Sequence, residues 1–172
     1  MLVILCGLPF SGKSALAQII CTTLPFIRID LDEVKFRLLG KGVHDEQITQ
    51  GQWDAVYQQM YQDIREGLVA NKNIVHDTGN FTTSERNIVR AIAQNFTVPT
   101  LTIFVDTPLE VIHKRLVQNR LKPTRFDVSD ENLLSCVKEM EPPGVAEPSI
   151  VFKPKDSLEN LLTGLKSGLN LL

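Results

Sequence analysis

One octapeptide narrows the folds open to this chain more than anything else in it. Gly7-Leu8-Pro9-Phe10-Ser11-Gly12-Lys13-Ser14 follows the apolar run Leu2-Val3-Ile4-Leu5-Cys6 and leads into Ala15-Leu16-Ala17-Gln18-Ile19-Ile20. This is G-x-x-x-x-G-K-S between a strand and a helix, the setting that a phosphate-binding loop requires. Gly7 and Gly12 permit backbone conformations that other residues resist. Successive N–H groups can then turn inward at the positive end of the next helix, where an anion is favoured. Leu8, Pro9, Phe10, Ser11 and Ala15 supply the rest of that cradle. Lys13 is expected to reach the β- and γ-phosphates, and Ser14 to hold a magnesium ion. A glycine turn that binds nothing has no use for Lys-Ser behind a buried strand. The octapeptide reads as a nucleoside triphosphate site.

Beyond the loop, helices and strands alternate. Helices are expected at 13–23, 31–39, 52–71, 83–95, 109–117, 129–140 and 158–172, with strands at 26–30, 73–77, 101–106 and 150–152. Pro25, Gly40 and Glu141-Pro142-Pro143-Gly144 break the pattern, and Pro108 opens a helix in the position that proline prefers. Strands separated by helices imply a parallel sheet covered on both faces. The expected architecture is therefore α/β: a three-layer P-loop fold with a mostly parallel five-stranded sheet. Ligands of such sheets lie beyond the carboxyl ends of the strands. Gly7, Asp30, Asp77 and Asp106 all fall there, so one cleft should gather the loop and several carboxylates.

Length and charge bound the rest. The 172 residues are most simply one domain, 1–172. A net charge of −2 gives no global basic field, which leaves nucleic acid only as an acceptor substrate. Cys6, Cys21 and Cys136 are scattered and form no metal pattern, as expected of a reducing compartment. With no leader-like start and no apolar run of membrane length, a cytoplasmic location without membrane contact is the expectation. The oligomeric state stays open.

Three further segments carry chemistry. In Asp30-Leu31-Asp32-Glu33-Val34-Lys35-Phe36-Arg37, Asp32 falls in a first helical turn near the loop. A carboxylate there can take the proton from an acceptor hydroxyl; it can equally cap the helix and favour its dipole. Asp30 would orient magnesium through water. In His76-Asp77-Thr78-Gly79-Asn80, Asp77 is placed like the carboxylate that supports magnesium in P-loop proteins. Asn80 stands where a GTPase D-x-x-G motif has glycine, and N-K-x-D is absent, so weight moves from a GTPase switch to a kinase. His76 reads as a core residue.

The segment 113–125 carries no acid. Arg115 and Arg120 lie five apart and would not share a face of an unbroken helix, which puts Arg120 on a basic loop at 120–126. Such a loop can close over triphosphate and stabilise the transferring group, making 113–127 a lid; a solvated basic helix end is the plainer reading. Trp53, Tyr57 and Tyr61 recur every four residues and share a helical face. Packing suits that face better than a stacking platform does.

These motifs resemble the small P-loop kinases of the AAA-like ATP-binding group, relatives of the polynucleotide 5′-kinase domain and, more distantly, of zeta toxin, gluconate kinase and seryl-tRNA kinase. The similar segments are 7–14, 30–37, 75–86, 105–120 and 141–152. The resemblance implies ATP and Mg2+. It makes Asp32 the general base of a D-E-[VI]-R segment. Lys35 stands in place of that segment's arginine, and Arg37 is a candidate substitute. It carries Asp77, Asn80 and Arg86 onto a second motif. A third motif takes in Asp106-Thr107-Pro108-Leu109-Glu110, Arg115 and Arg120, a lid over ATP.

The activity implied is ATP-dependent transfer of the γ-phosphate to a hydroxyl of a polynucleotide 5′ end, a nucleoside, a sugar or a small metabolite. Lys13, Asp32, Arg115 and Arg120 would be catalytic, with Arg115 also on the nucleotide. Ser14, Asp30 and Asp77 would serve the metal, and Asp32, Lys35, Arg37, Asn80 and Arg86 the acceptor. The alternative is an ATP-binding regulatory module with little turnover, which would keep Lys13 and Ser14 but need no base.

Overall fold

Five consecutive buried residues make β1 (Leu2–Cys6) the middle of the sheet in the computed structural model, which describes residues 1–169. A strand with no polar face needs a covering layer on each side. β1 pairs with β3 (Asn73–Asp77) on one edge and β4 (Thr100–Val105) on the other. β2 (Phe26–Asp30) adds outside β3, and β5 (Ser149–Phe152) outside β4. The order is β2-β3-β1-β4-β5, and all four pairings are parallel, so the sheet expected to be mostly parallel is wholly so among the described residues. Register sets Asp30 directly beside Asp77 at the carboxyl ends of β2 and β3.

Each sheet face carries its own core. Leu2, Ile4 and Ile74 meet Val56, Met60 and Ile64 of α3 (Gln50–Val69) and Val89 and Ile92 of α4 (Thr83–Gln94). On the opposite face, Val3, Leu5 and Ile103 pack against Leu16 and Ile20 of α1 (Lys13–Thr23) and Leu161 and Leu165 of α7 (Leu158–Leu169). Between β2 and α3 runs α2 (Leu31–Leu39). A third cluster seats α5 (Leu109–Leu121) and α6 (Asp130–Glu139) beside the phosphate loop through Phe10, Ile112, Leu116 and Leu133. Among the described residues no helix is long and apolar enough to cross a membrane.

α3 and α5 differ most from expectation, α3 running Gln50–Val69 where 52–71 is expected and α5 running past 117. α3 starts at Gln50, not Gln52, because Thr49 and Gln52 form a reciprocal capping box. The preceding polar loop also holds a short 3-10 turn, Asp45–Gln47. α5 continues to Leu121, four residues past its expected end, which places Arg120 on helix instead of loop. Buried Asn119 stops it there. Its amide donates to the Arg125 carbonyl at 3.0 Å, and its Oδ1 accepts from the Thr124 and Arg125 N–H groups at 3.1 Å each. At the other end of the chain α7 is described to Leu169; the helix expected at 170–172 lies outside the described residues.

Candidate active site

The loop after β1 turns where only glycine fits. Gly7 and Gly12 have φ of +150° and +110°, and a Cβ on Gly7 would meet the Val105 carbonyl oxygen at 2.9 Å. Gly12 caps α1 without a side chain, which leaves the first-turn N–H groups open to an anion. The Ser11 hydroxyl is buried with no hydrogen-bond partner. Lys13 folds back on its own loop, Nζ lying 2.7 Å from the Gly7 oxygen and 2.8 Å from the Leu8 oxygen. Burial brings its ammonium down to about 8. A desolvated cation, an orphaned hydroxyl and an uncapped helix start all fit a phosphate chain.

Arg115 and Thr107 brace the loop from α5 and from the end of β4. The Arg115 Nη1 donates to the carbonyls of Phe10 (2.9 Å) and Ser11 (2.7 Å), and the Thr107 hydroxyl donates to that of Ser11 (2.8 Å). Arg115 is not among the residues that line the cavity.

Asp30 and Asp77 share one guanidinium. Arg28 donates to Asp77 Oδ2 from Nε (2.9 Å) and Nη2 (2.7 Å), pairs with Asp30, and reaches Glu33 at 3.1 Å. Asp30 also accepts the N–H groups of Asp32 (2.7 Å) and Glu33 (3.1 Å), so Asp30, not Asp32, caps α2. Burial, and after it the Asp77 charge, push the Asp30 carboxyl up to about 6 against the pull of Arg28. Among the described residues no group of three or more His, Cys, Asp or Glu side chains could hold a metal by itself. That suits magnesium, which takes one or two carboxylates and otherwise water and phosphate. Ser14, Asp30 and Asp77 all line the same cavity and offer oxygen donors of that kind.

Asp32 stands in the first turn of α2 with its carboxylate more than half exposed to the cavity. The Lys35 ammonium lies 2.9 Å from Asp32 Oδ1 and 2.8 Å from Asp45 Oδ1. Lys35 is itself buried, its Nζ 4.9 to 5.8 Å from the ring centres of Phe36, Phe126 and Trp53.

Several residues expected at the site stand elsewhere. Arg37 pairs with Asp63 of α3 on the surface. Arg86 is fully buried, held by Glu147 through Nε and Nη2 at 2.9 Å each, and donates to the Asn80 and Phe81 carbonyls. Asn80 is buried too, at φ +47°, and its amide donates to the Leu5 carbonyl at 2.7 Å. None of the three lines the cavity, and Arg86 and Asn80 brace the fold from within. Arg120 is held by Asp127 (3.1 Å) and Asp130 (2.9 Å) and does not line the cavity. His76 sits in the core against Met60 Sδ at 3.2 Å, and burial lowers it to about 4. Trp53 and Tyr57 pack on the core and also border the cavity, so the packing and lining roles of that face coexist.

The cavity, about 430 Å³, has a further stretch of lining beside the phosphate loop, from Arg125 of the expected lid into α6, which no motif marks. Arg125 lies 4.4 Å above the Phe10 ring and lines it, with Ser129, Asn132, Cys136 and Glu139 from α6 and its cap. Their spacing of three, four and three residues was a legible helical stripe.

Comparison with known proteins agrees with this geometry. Residues 2–143 match the family model described as AAA domain. A shikimate kinase of Microcystis aeruginosa is 24% identical over 169 residues, covering 95% of this chain and 85% of that protein. A shikimate kinase of Persephonella marina is 28% identical over 111 residues, and that match spans 64% of each. Chaetomium thermophilum Kti12, solved with ADP-AlF3, shares the fold at a TM-score of 0.76 and 16% identity, covering 97% of this chain and 98% of that one. With its phosphate loop, its parallel sheet and a match over most of its length, the chain belongs to the AAA domain family, as a P-loop domain of the kinase type.

Proposed function

We propose that this chain, acting as one domain, is an ATP-dependent kinase that transfers the γ-phosphoryl group to a hydroxyl of a small molecule. One observation carries the reading: the phosphate loop and the Asp32 carboxylate open into the same cavity, whose lining also takes in residues of α3 and α6. The two shikimate kinases support a small hydroxylated metabolite over a polymer as acceptor.

Each residue then has a physical task. Lys13 exchanges the Gly7 and Leu8 carbonyls for phosphate oxygens, and the incoming negative charge restores its proton affinity. Asp32 accepts the hydroxyl proton as the acceptor oxygen bonds to the γ-phosphorus and the bond from that phosphorus to the departing ADP oxygen breaks. Its fixed position against Lys35 keeps the oxygen aimed. Arg115 holds the loop in shape from behind. Arg125, bordering the cavity beside Phe10, takes the charge-stabilising place first expected of Arg120. Ser14, Asp30 and Asp77 would hold magnesium, which when bound offsets charge on the phosphates. Residues 113–127 form the lid, with Asn119 as its hinge-side anchor.

Replacing Asp32 with Asn tests the reading. Single-turnover transfer should fall by about 10²- to 10⁴-fold, with ATP affinity measured by calorimetry changed by less than about threefold. Parallel loss of both would remove Asp32 from the chemistry, and ATP consumption independent of any acceptor would reject the kinase.

A further inference from the structure

The acceptor end of the cavity is walled by carboxylates, and we propose that the acceptor is a hydroxylated amine, cationic at neutral pH. This rests on the kinase reading and adds to it the charge of the substrate. Away from the phosphate loop and the metal ligands, the lining carries Asp32, Asp45, Glu46, Asp127 and Glu139. Lys13 and Arg125 are the Lys and Arg residues of the cavity lining, and both stand at the phosphate end, Lys13 in the loop and Arg125 over Phe10.

A carboxylate or phosphate on the acceptor would call for a free guanidinium or ammonium. Arg125 is placed for the phosphates, and the other nearby cations are committed. Lys35 is buried between Asp32 and Asp45. Arg37 is turned to Asp63, and Arg86 is sealed against Glu147. Arg120 bridges Asp127 and Asp130. Lys35 serves two carboxylates that both line the cavity, so that pairing leaves surplus negative charge on its rim, whereas Arg120 shares itself between Asp127 of the lining and Asp130 outside it. Burial of Lys35 against three rings prevents it from swinging out to meet an anion.

The aromatic wall points the same way. Trp53 and Phe126 line the cavity, and the Lys35 ammonium already rests 5.8 and 5.7 Å from their ring centres. These are distances at which a ring face attracts a cation. Carboxylates interleaved with aromatic faces form a wall for an ammonium-bearing ligand, and a repulsive one for the carboxylate that the name shikimate denotes.

The test is γ-phosphate transfer from labelled ATP to matched trios: glucosamine, glucose and glucuronate, then an aminocyclitol, its parent cyclitol and shikimate. The expected order of kcat/KM is amine, neutral, carboxylate, with at least about a fivefold step from neutral to amine, as one partly exposed charge contact gives. A preference for the carboxylate members, or an order indifferent to charge, would overturn the inference. The double substitution Glu46→Gln, Glu139→Gln should raise KM for the amine about fivefold and leave the neutral member's KM in place; equal rises for both would mark structural damage and count against it. If no member accepts phosphate, the kinase reading fails on its own. Binding of the same trios to the protein loaded with a nonhydrolysable ATP analogue then decides the charge: amine-first order sustains the inference, and any other result ends it.

Discussion

Two ion clusters in this molecule use the same parts in opposite proportions. Beneath α4, Arg86 and Arg90 converge on one carboxylate, Glu147, and all three side chains are at least nine-tenths buried. Beside the cavity, one ammonium, Lys35, lies between Asp32 and Asp45, whose carboxylates are 55% and 57% exposed. In the first cluster every oxygen is taken. Arg86 spends its remaining donors on the Asn80 and Phe81 carbonyls and the Thr83 hydroxyl. In the second, the buried partner is the shared one and the outer oxygens stay free. The difference separates a cluster that fixes the chain from one that can meet a ligand.

The largest effect should come from breaking the closed cluster. Glu147→Ala leaves two buried guanidinium groups without their counter-ion, which should cost about 3 to 5 kcal/mol in urea unfolding. A loss below about 1 kcal/mol would mean that water or the Thr102 hydroxyl, already bonded to Arg90 at 3.1 Å, replaces the carboxylate.

Acid titration sharpens the contrast at two other buried groups. His76 is lowered from 6.5 to about 4, so the unfolded chain binds a proton that the folded one refuses. Its stabilising contribution is full above pH 6.5 and is lost as pH falls to about 4, a change of about 3 kcal/mol. Asp30 runs the other way. Raised from 3.8 to about 6, it favours the folded state below pH 3.8 and loses that contribution as pH rises through 6, again by about 3 kcal/mol. The two oppose each other, so unfolding free energy of the parent protein should be nearly flat between pH 4 and 6. Asp30→Asn, which keeps a capping side chain, should uncover a steep loss toward acid. His76→Gln should instead gain stability there. Denaturant curves at pH 4.5, 5.5 and 7 decide it, and a flat profile in both variants would refute the assignment.

What could be read from the sequence follows the range of the interactions. The octapeptide, the strand ends at Asp30 and Asp77, and the alternation of elements are local patterns, and they suffice for a mostly parallel five-stranded sheet with a cleft at the carboxyl ends of its strands, though not for its being wholly parallel. Arg86 is expected at the acceptor because the resemblance carries Asp77, Asn80 and Arg86 onto one motif. Its actual partner, Glu147, lies 61 residues on, in a stretch with no helical or strand signal. Arg120 is expected on a loop because it lies five residues from Arg115, and nothing local shows that the helix runs on until Asn119 ties back residues 124 and 125 and ends it at Leu121. α6 went unassigned to the site for a similar reason. Leu133 brings it in by packing with Phe10 and Ile112, a contact that hydrophobic spacing alone does not specify.

The smallest expected change in stability separates the open cluster from the closed one. Lys35→Met keeps an unbranched stem against Phe36, Trp53 and Phe126 while removing the charge between Asp32 and Asp45. Both carboxylates are more than half exposed, so water replaces the ammonium at each, and the cost in unfolding free energy should stay within about 1 kcal/mol. Transfer should suffer more, by about tenfold in kcat with little change in ATP affinity, since Asp32 loses the contact that fixes its oxygen. If stability drops as far as in Glu147→Ala, the ammonium is holding the fold and not aiming the carboxylate. The two clusters would then differ in exposure but not in role.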